Sequence, residues 1–426
     1  MKKLLTVLLA LSLVVSVFVI GCKGKTASNL IELELYYYKQ ENQEGLLALL
    51  DAYMAKNPGV KIKPLIIPND GDATMAARAV QGKLADILQM QSYSRVHEYA
   101  GSGYLVDLSN EDILKKVVPG SLPSVTYNNK QYALPMDLQG IGIIYNKDIF
   151  AKLNLKAPTT YRELENVCNV LKGNGITPFS GLLAENWSAG HFVTLVHTAL
   201  LAEKGIDFNT FIDNMNAGKG SYGDVDTAKL FSTMDFYAAN MASNAGDMNW
   251  DEQQNDFVAG KAAMMVQGLF ALPGDAPFDI GFVPFPVSNT AANNKFYADV
   301  DSCFGVSSQS SPEKRQAAID FLTWLGTPEA QKLWIEGYKL TVSFAGADVS
   351  ALPPAYSDLI DGIAAQGSYP WLFSMYPTVV FEEACKNGAQ QYMLKRTAAN
   401  DVIKNIDAAW KAAKVNSLSL QLYKGI

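Results

Sequence analysis

The chain of 426 residues carries three histidines and four cysteines, and none stands at a spacing that catalysis uses. His97 is remote from His191 and His197, and no H-E-x-x-H or other metal-ligating pattern surrounds them. There is no G-x-S-x-G elbow for a nucleophilic serine and no G-x-x-x-x-G-K-[ST] loop for a phosphate. The acids Asp247, Asp251 and Glu252 are interrupted by Trp250 and lack the order of a calcium loop. Cys168 shares a helical stripe with Leu164, Val167 and Leu171, and Cys385 one with Phe381 and Ala384; both read as buried small hydrophobes. What remains is the chemistry of recognition. Tyr38, Gln40 and Glu41 form one polar run, and Gln91, Tyr93 and Arg95 another. Trp371, Phe373 and Tyr376 cluster between Pro370 and Pro377, suited equally to a pocket wall or to core. Planar amides, carboxylates and hydroxyls fix hydrogen bonds at set angles, while ring faces take apolar surfaces.

Elements of two kinds must position these groups. Ile31, Leu33, Leu35 and Tyr37 alternate with Glu32 and Glu34, which is the period of a strand. Leu46, Leu49, Leu50 and Tyr53 follow at helical spacing and stop at Asn57-Pro58-Gly59. Val60 to Ile67 reads as a second strand, Ala73 to Val80 as a helix, Ala85 to Met90 as a third strand, and Glu98 to Ser102 as the end of a helix. Strand, helix, strand, helix, strand means a parallel sheet with crossover helices. In such sheets the ligand crevice lies at the carboxyl ends of the strands, here Tyr38 to Asn42, Pro68 to Asp72 and Gln91 to Arg95. From Ile141 a new strand begins, followed by helices over Tyr161 to Leu171, Ala189 to Ala202, Thr227 to Ala242 and Asp251 to Val258. Strands return at Ala262 to Val266, Ile280 to Pro284 and Cys303 to Val306, so a second α/β lobe is the economical reading.

Hydrophobic residues make up 49% and charged ones 18%, which excludes a disordered chain. A net charge of −7 opposes any nucleic-acid partner. Lys2 and Lys3 precede an apolar run, Leu4 to Ile20, that ends in Val19-Ile20-Gly21-Cys22. A basic start, a short apolar stretch and small residues at the cut describe a secretory signal over residues 1–21. The Cys directly after Gly resembles the bacterial lipobox, although Val19 stands where Leu is usual. That resemblance implies a lipid on Cys22, a tether over 22–30, and an exported chain anchored at the outer face of the cytoplasmic membrane.

Four phrases then occur in a fixed order. YALPMDLQGIGIIYNKDIFAKLNLKAPTTYREL spans Tyr132 to Leu164, and FVAGKAAMMVQGLF spans Phe257 to Phe270. SPEKRQAAIDFLTWLGTPEAQKLW spans Ser311 to Trp334, and ADILQMQSYSRVHEYAGSGYLVDL begins at Ala85. Together they resemble the family 1 extracellular solute-binding proteins of bacterial ABC transporters, the carbohydrate-binding type, across roughly residues 31 to 345. The final stretch of about 80 residues matches that family poorly.

The resemblance implies an α/β, two-lobed periplasmic-binding-protein fold of type II-like character, with a hinge and an interlobe cleft. It places 31–136 and 303–345 in the first lobe, and 137–302 and 346–426 in the second. Crossings are expected near Pro135 to Gln139, Ala298 to Asp301 and Thr341 to Ala345. A sugar or oligosaccharide is the implied ligand, ABC permease subunits the implied partners, and a monomer without cofactor or metal the implied form. The implied ligand-binding residues are Tyr38, Gln40, Glu41, Gln91, Tyr93, Gln139, Glu185, Trp187, Phe270, Asp299, Asp301 and Trp371, with no catalytic residue. Asp137 stands in for Gln139 if the register differs by two. Trp187 is the principal stacking residue, and Phe270 follows Gly268 at a corner where the family prefers Trp. Asp299 and Asp301 replace a Gly-rich stretch and suit hydroxyls, a cation or a structural network. Two rivals stay open: the same scaffold holding a polyamine, peptide or other cationic solute, and a surface carbohydrate-active enzyme working through a carboxylate pair.

Overall fold

A computed structural model describes residues 30–39, 43–67, 71–274 and 276–415. The signal segment, Cys22, Gln40 and Glu41 lie outside the described residues. Among the described residues thirteen strands run in chain order: β1 Ile31–Tyr37, β2 Val60–Ile66, β3 Ile87–Gln91, β4 Thr126–Tyr127, β5 Lys130–Gln131, β6 Ala133–Pro135 and β7 Leu138–Asn146. They continue with β8 Thr177–Phe179, β9 Ala262–Gly268, β10 Ile280–Val283, β11 Phe296–Val300, β12 Ser302–Val306 and β13 Ser368–Tyr369.

The first sheet has the order β2-β1-β3-β12-β6. Its β1 pairs in parallel with β2 and β3, Ile31 opposite Val60 and Leu35 opposite Ile87, as strands joined by crossover helices must. Alternation along β1 sends Leu33, Leu35 and Tyr37 to one core and Tyr36 to another on the opposite face. The second sheet has the order β13-β11-β7-β9-β8, with β10 also on β7. Its β9, paired on one side with β7 and on the other with β8, is buried along its whole length, which accounts for the unbroken apolar run AAMMV. Met264 and Val266 face one core of this lobe, and Met265 the other. Within the larger core, the helix Tyr161–Gly173 is started by a Thr160/Glu163 capping box and buries Leu164, Val167, Cys168 and Leu171. The three cysteines among the described residues are unpaired and buried.

Two sheets with separate cores make two lobes. The chain passes from the first to the second between Pro135 and Leu138, and returns between Val300 and Ser302. These passages are knitted together. Asp301 N donates to the Asp137 carbonyl at 3.0 Å, and Ser343 N to the Met136 carbonyl at 2.6 Å. Thr341 Oγ1 accepts from Leu138 N at 3.0 Å. The last passage falls later than Thr341 to Ala345. Phe344 packs in the first lobe's core, Leu352 touches cores of both lobes, and Ala355 belongs to the second. Thr341 and Ser343 brace the hinge without themselves leaving the first lobe. The last helix among the described residues, Ala399–Val415, buries Val402, Ile406 and Trp410 in the second lobe.

Candidate functional site

A cleft of about 580 Å³ lies between the lobes. Among the described residues its first-lobe side includes Tyr36, Tyr38, Lys39, Gln91 and Asp301, from the ends of β1 and β3 and the β11–β12 passage. That is where parallel strands leave their loops, so the site's location follows from topology. The opposite side is aromatic. Phe270 stacks on Trp250 at 6.3 Å and 16°, and Trp250 leads to Trp187 at 5.8 Å. Trp187 meets His191 at 5.5 Å, one helical turn along the helix Asn186–Glu203. His191 stacks on Phe373 at 4.9 Å, and Phe373 on Trp371 at 5.3 Å. Burial, with Lys386 nearby, pushes the His191 pKa down to about 3, so its ring is neutral at ordinary pH and serves as one more flat face.

Gly268 explains the Phe270 corner. A Cβ added there would lie 2.1 Å from the Phe270 ring, so only glycine lets that ring fold back toward Trp250. Glu185 sets the two tryptophans: its Oε2 accepts from Trp187 Nε1 at 2.7 Å, and its Oε1 from the Trp250 backbone N–H at 2.9 Å. The rim is polar. Lys386 Nζ donates to Glu382 at 2.5 Å, Asn186 donates to Asn387 at 2.6 Å, and Glu383 completes the edge.

The hinge side carries charge. Lys39 Nζ lies 3.0 Å from Asp137 Oδ2 and 2.7 Å from Asp301 Oδ2, with its side chain only 3% exposed. Asp137 Oδ1 is taken by Ser302, from the backbone N–H at 2.8 Å and from Oγ at 2.6 Å.

Six of the sequence-predicted residues therefore meet at the cleft: Tyr38, Gln91, Trp187, Phe270, Asp301 and Trp371. Trp371 is both wall and core, its indole N–H donating to the Tyr297 carbonyl at 2.8 Å. Four others do not border the cleft. Tyr93 precedes the helix Ser94–Gly101 at φ 54°, a strained backbone for a bulky residue, and its hydroxyl donates to Asp299 at 3.2 Å. Asp299 also accepts from Val300 N at 2.8 Å and Trp371 N at 3.2 Å, and burial lifts its pKa to about 6. Gln139 is fully buried and accepts from the Tyr356 hydroxyl at 3.3 Å. Glu185 is turned to the tryptophans. Arg95 belongs to a helix and not to the loop the sequence suggested, and it reaches Glu98 at 3.4 Å and Glu382 of the other lobe at 3.9 Å.

The acids named for a hydrolytic pair, Glu185, Asp299 and Asp301, are each held by other groups of the chain. Among the described residues no group of three His, Cys, Asp or Glu could hold a metal ion, and no helix is long and apolar enough to cross a membrane. Sequence reasoning missed Lys39, His191, Trp250, Glu382 and Lys386. His191 was legible as the residue one turn beyond Trp187, and Glu382 with Lys386 as an i,i+4 pair. Trp250 carried no periodic signal.

Known proteins share this fold. Residues 39–332 match the family described as bacterial extracellular solute-binding protein. An uncharacterised ABC transporter extracellular-binding protein of Pyrococcus horikoshii is 27% identical over 357 residues, 78% of each chain. The multiple sugar-binding protein of Streptococcus mutans is 23% identical over 342 residues, covering 75% of this chain and 78% of that one. Among solved structures, a chitin oligosaccharide binding protein superposes with a TM-score of 0.80 at 21% identity, over 90% of this chain and 99% of that one. RafE in complex with raffinose gives 0.77 at 20% identity, over 90% and 100%. At such identity these structures speak to the fold, which is the two-lobed one described above. With well over half its length matched, the chain belongs to the bacterial extracellular solute-binding proteins.

Proposed function

We propose that this protein captures a sugar or oligosaccharide between its lobes and hands it to the permease of an ABC importer. The observation that carries the reading is the run of rings from Phe270 through Trp250, Trp187, His191 and Phe373 to Trp371, facing a polar side of Tyr38, Gln91 and Asp301. A pyranose has apolar C–H faces and equatorial hydroxyls, and these two sides suit each kind of surface. Several consecutive rings favour a ligand of more than one sugar unit. Names given to similar proteins point the same way: a multiple sugar-binding protein, and RafE in complex with raffinose.

Closure of the lobes is driven by contacts that exist only when both sides touch the ligand. No bond is made or broken in the ligand. Export and anchoring through a lipid on Cys22 complete the reading, holding the receptor beside its permease. A micromolar complex corresponds to about −8 kcal/mol, within reach of a few stacked rings and charge-assisted hydrogen bonds. A thermal-shift screen across neutral oligosaccharides and polyamines, followed by calorimetry, tests it. Stabilisation by an oligosaccharide is the expected result, and stabilisation by polyamines alone sinks the sugar reading.

A further inference from the structure

We propose that Lys39 sets the ligand class of this cleft, as a built-in cation that occupies the space between two hinge-side carboxylates and closes the site to cationic solutes. The inference deepens the sugar-binding reading and rests on the same cleft.

Asp137 lies in the passage from β6 to β7 and Asp301 in the passage from β11 to β12, and the Asp301 N–H to Asp137 carbonyl bond at 3.0 Å holds them side by side. Asp137 is wholly buried and spends Oδ1 on Ser302, which leaves Oδ2 to Lys39. The Asp301 side chain is 12% exposed; Oδ2 meets Lys39, while Oδ1 lies 3.5 Å from the Tyr38 hydroxyl. Both Lys39 and Asp301 border the cleft. Two carboxylates so placed, one of them buried, repel each other and call for a cation between them. In a cleft lacking Lys39, that cation would have to come from the ligand. Here the chain supplies it, tethered, at an effective concentration that a dissolved amine cannot match.

Three consequences follow. A polyamine finds its anchoring point filled. An anionic ligand gains little from Lys39, which two carboxylates already hold, and it meets Glu382 and Glu383 across the cleft. An uncharged hydroxyl donor still finds Asp301 fixed in orientation by Lys39, on the side opposite the rings. Lys39 is thus a positioning residue for Asp301 as well as a filter on charge.

The experiment compares the full exported chain with Lys39→Ala and Lys39→Ala/Asp301→Asn, using ethylammonium, spermidine and raffinose as probes. Wild type is expected to show no thermal shift with ethylammonium or spermidine beyond that of sodium chloride at equal ionic strength. Lys39→Ala is expected to lose stability and regain it saturably in ethylammonium, to show a saturable thermal shift with spermidine that wild type lacks, and to bind raffinose more weakly, with partial rescue by ethylammonium. The double variant has lost one carboxylate and is expected to ignore both amines. If Lys39→Ala does not fold alone, recovery on refolding in ethylammonium supports the proposal and failure to recover overturns it. Spermidine binding in the wild-type cleft overturns it without any variant. Should wild type ignore raffinose and other neutral oligosaccharides while Lys39→Ala takes up ethylammonium, the sugar reading falls and the filling role of Lys39 stands. Should wild type bind raffinose while Lys39→Ala is blind to amines, the role of Lys39 falls and the sugar reading stands.

Discussion

Glu185 and Trp187, two residues apart where a loop becomes a helix, are joined by a hydrogen bond of 2.7 Å from the indole N–H to the carboxylate. The other oxygen of the same carboxylate takes the first N–H of the helix Trp250–Val258. One acid therefore fixes two adjacent tryptophans of the aromatic wall, and its favourable place at a helix start is a second use of its charge. Glu185→Gln retains one acceptor and must abandon one of the two bonds. Ligand affinity is expected to fall by roughly three- to tenfold, about 1 kcal/mol for a lost hydrogen bond, with a shift in tryptophan emission. Affinity and emission both unchanged would mean that Glu185 does not set the rings.

Trp187 itself is partly exposed at the second position of its helix, touching Trp250, His191 and Phe270 through ring contacts. Trp187→Ala is expected to weaken binding by roughly tenfold or more, since a stacked ring contributes about 0.5–1.5 kcal/mol beyond its buried area. Melting temperature should move by no more than about 4 °C. Titration calorimetry and a thermal melt on the same sample decide. A collapsed melting temperature with unchanged affinity would make Trp187 core. Combining Trp187→Ala with Glu185→Gln should cost barely more affinity than Trp187→Ala alone, because the carboxylate acts through the ring.

Much of this cleft was legible, and the reason is periodicity. Strand alternation in β1 and the apolar run of β9 identify sheets, and a parallel sheet dictates that Tyr38 and Gln91 stand at the ligand end. Trp187, Phe270, Asp301 and Trp371 came from spacing and resemblance. Failures cluster where a side chain's direction decides its role. Asp299 in β11 and Asp301 in the passage to β12 are two residues apart, yet Asp299 turns inward to Tyr93 and Trp371 while Asp301 borders the cleft. Sequence reports that both acids are near the hinge; it does not report which one Lys39 reaches. Tyr93 is a similar case, because nothing in its neighbours announces a positive φ that aims its hydroxyl across the lobes. Residues 40 and 41 remain expectations.

Asp299 supplies a prediction about pH. Burial is the main cause of its raised pKa, about 6 in the folded chain against 3.8 for an ordinary aspartate. A carboxyl that holds its proton more tightly when folded favours the native state at low pH, and the benefit is lost as pH rises from about 4 through 6. Other acids with lowered values act in the opposite sense, so the test is a difference. Asp299→Asn cannot ionise. The stability of wild type relative to this variant should fall by an amount of order 2–3 kcal/mol between pH 4 and pH 7. Urea midpoints of both proteins at the two pH values measure it. A difference independent of pH would show that Asp299 does not titrate in this range.

The Gly268–Phe270 corner gives the most economical separation of site from scaffold. Phe270 is partly exposed and packs at the edge of three core clusters, so its ring has solvent to move into. Gly268→Ala puts a methyl group 2.1 Å from the present ring position, which the ring must vacate, and the 16° stack on Trp250 goes with it. Overpacking of a closed core costs about 1–3 kcal/mol, but a ring at a cleft edge relaxes outward, so the stability loss should lie at or below the lower end. Binding should suffer more than folding: a fall of roughly tenfold in affinity with a melting temperature within about 4 °C of wild type. Phe270→Leu should produce the same affinity loss without any clash, and the two changes together should barely exceed either alone, because both remove one ring from one wall. Additive losses would place the effect of Gly268 in the sheet itself. Full affinity in Gly268→Ala would mean that the ligand does not touch this end of the aromatic run.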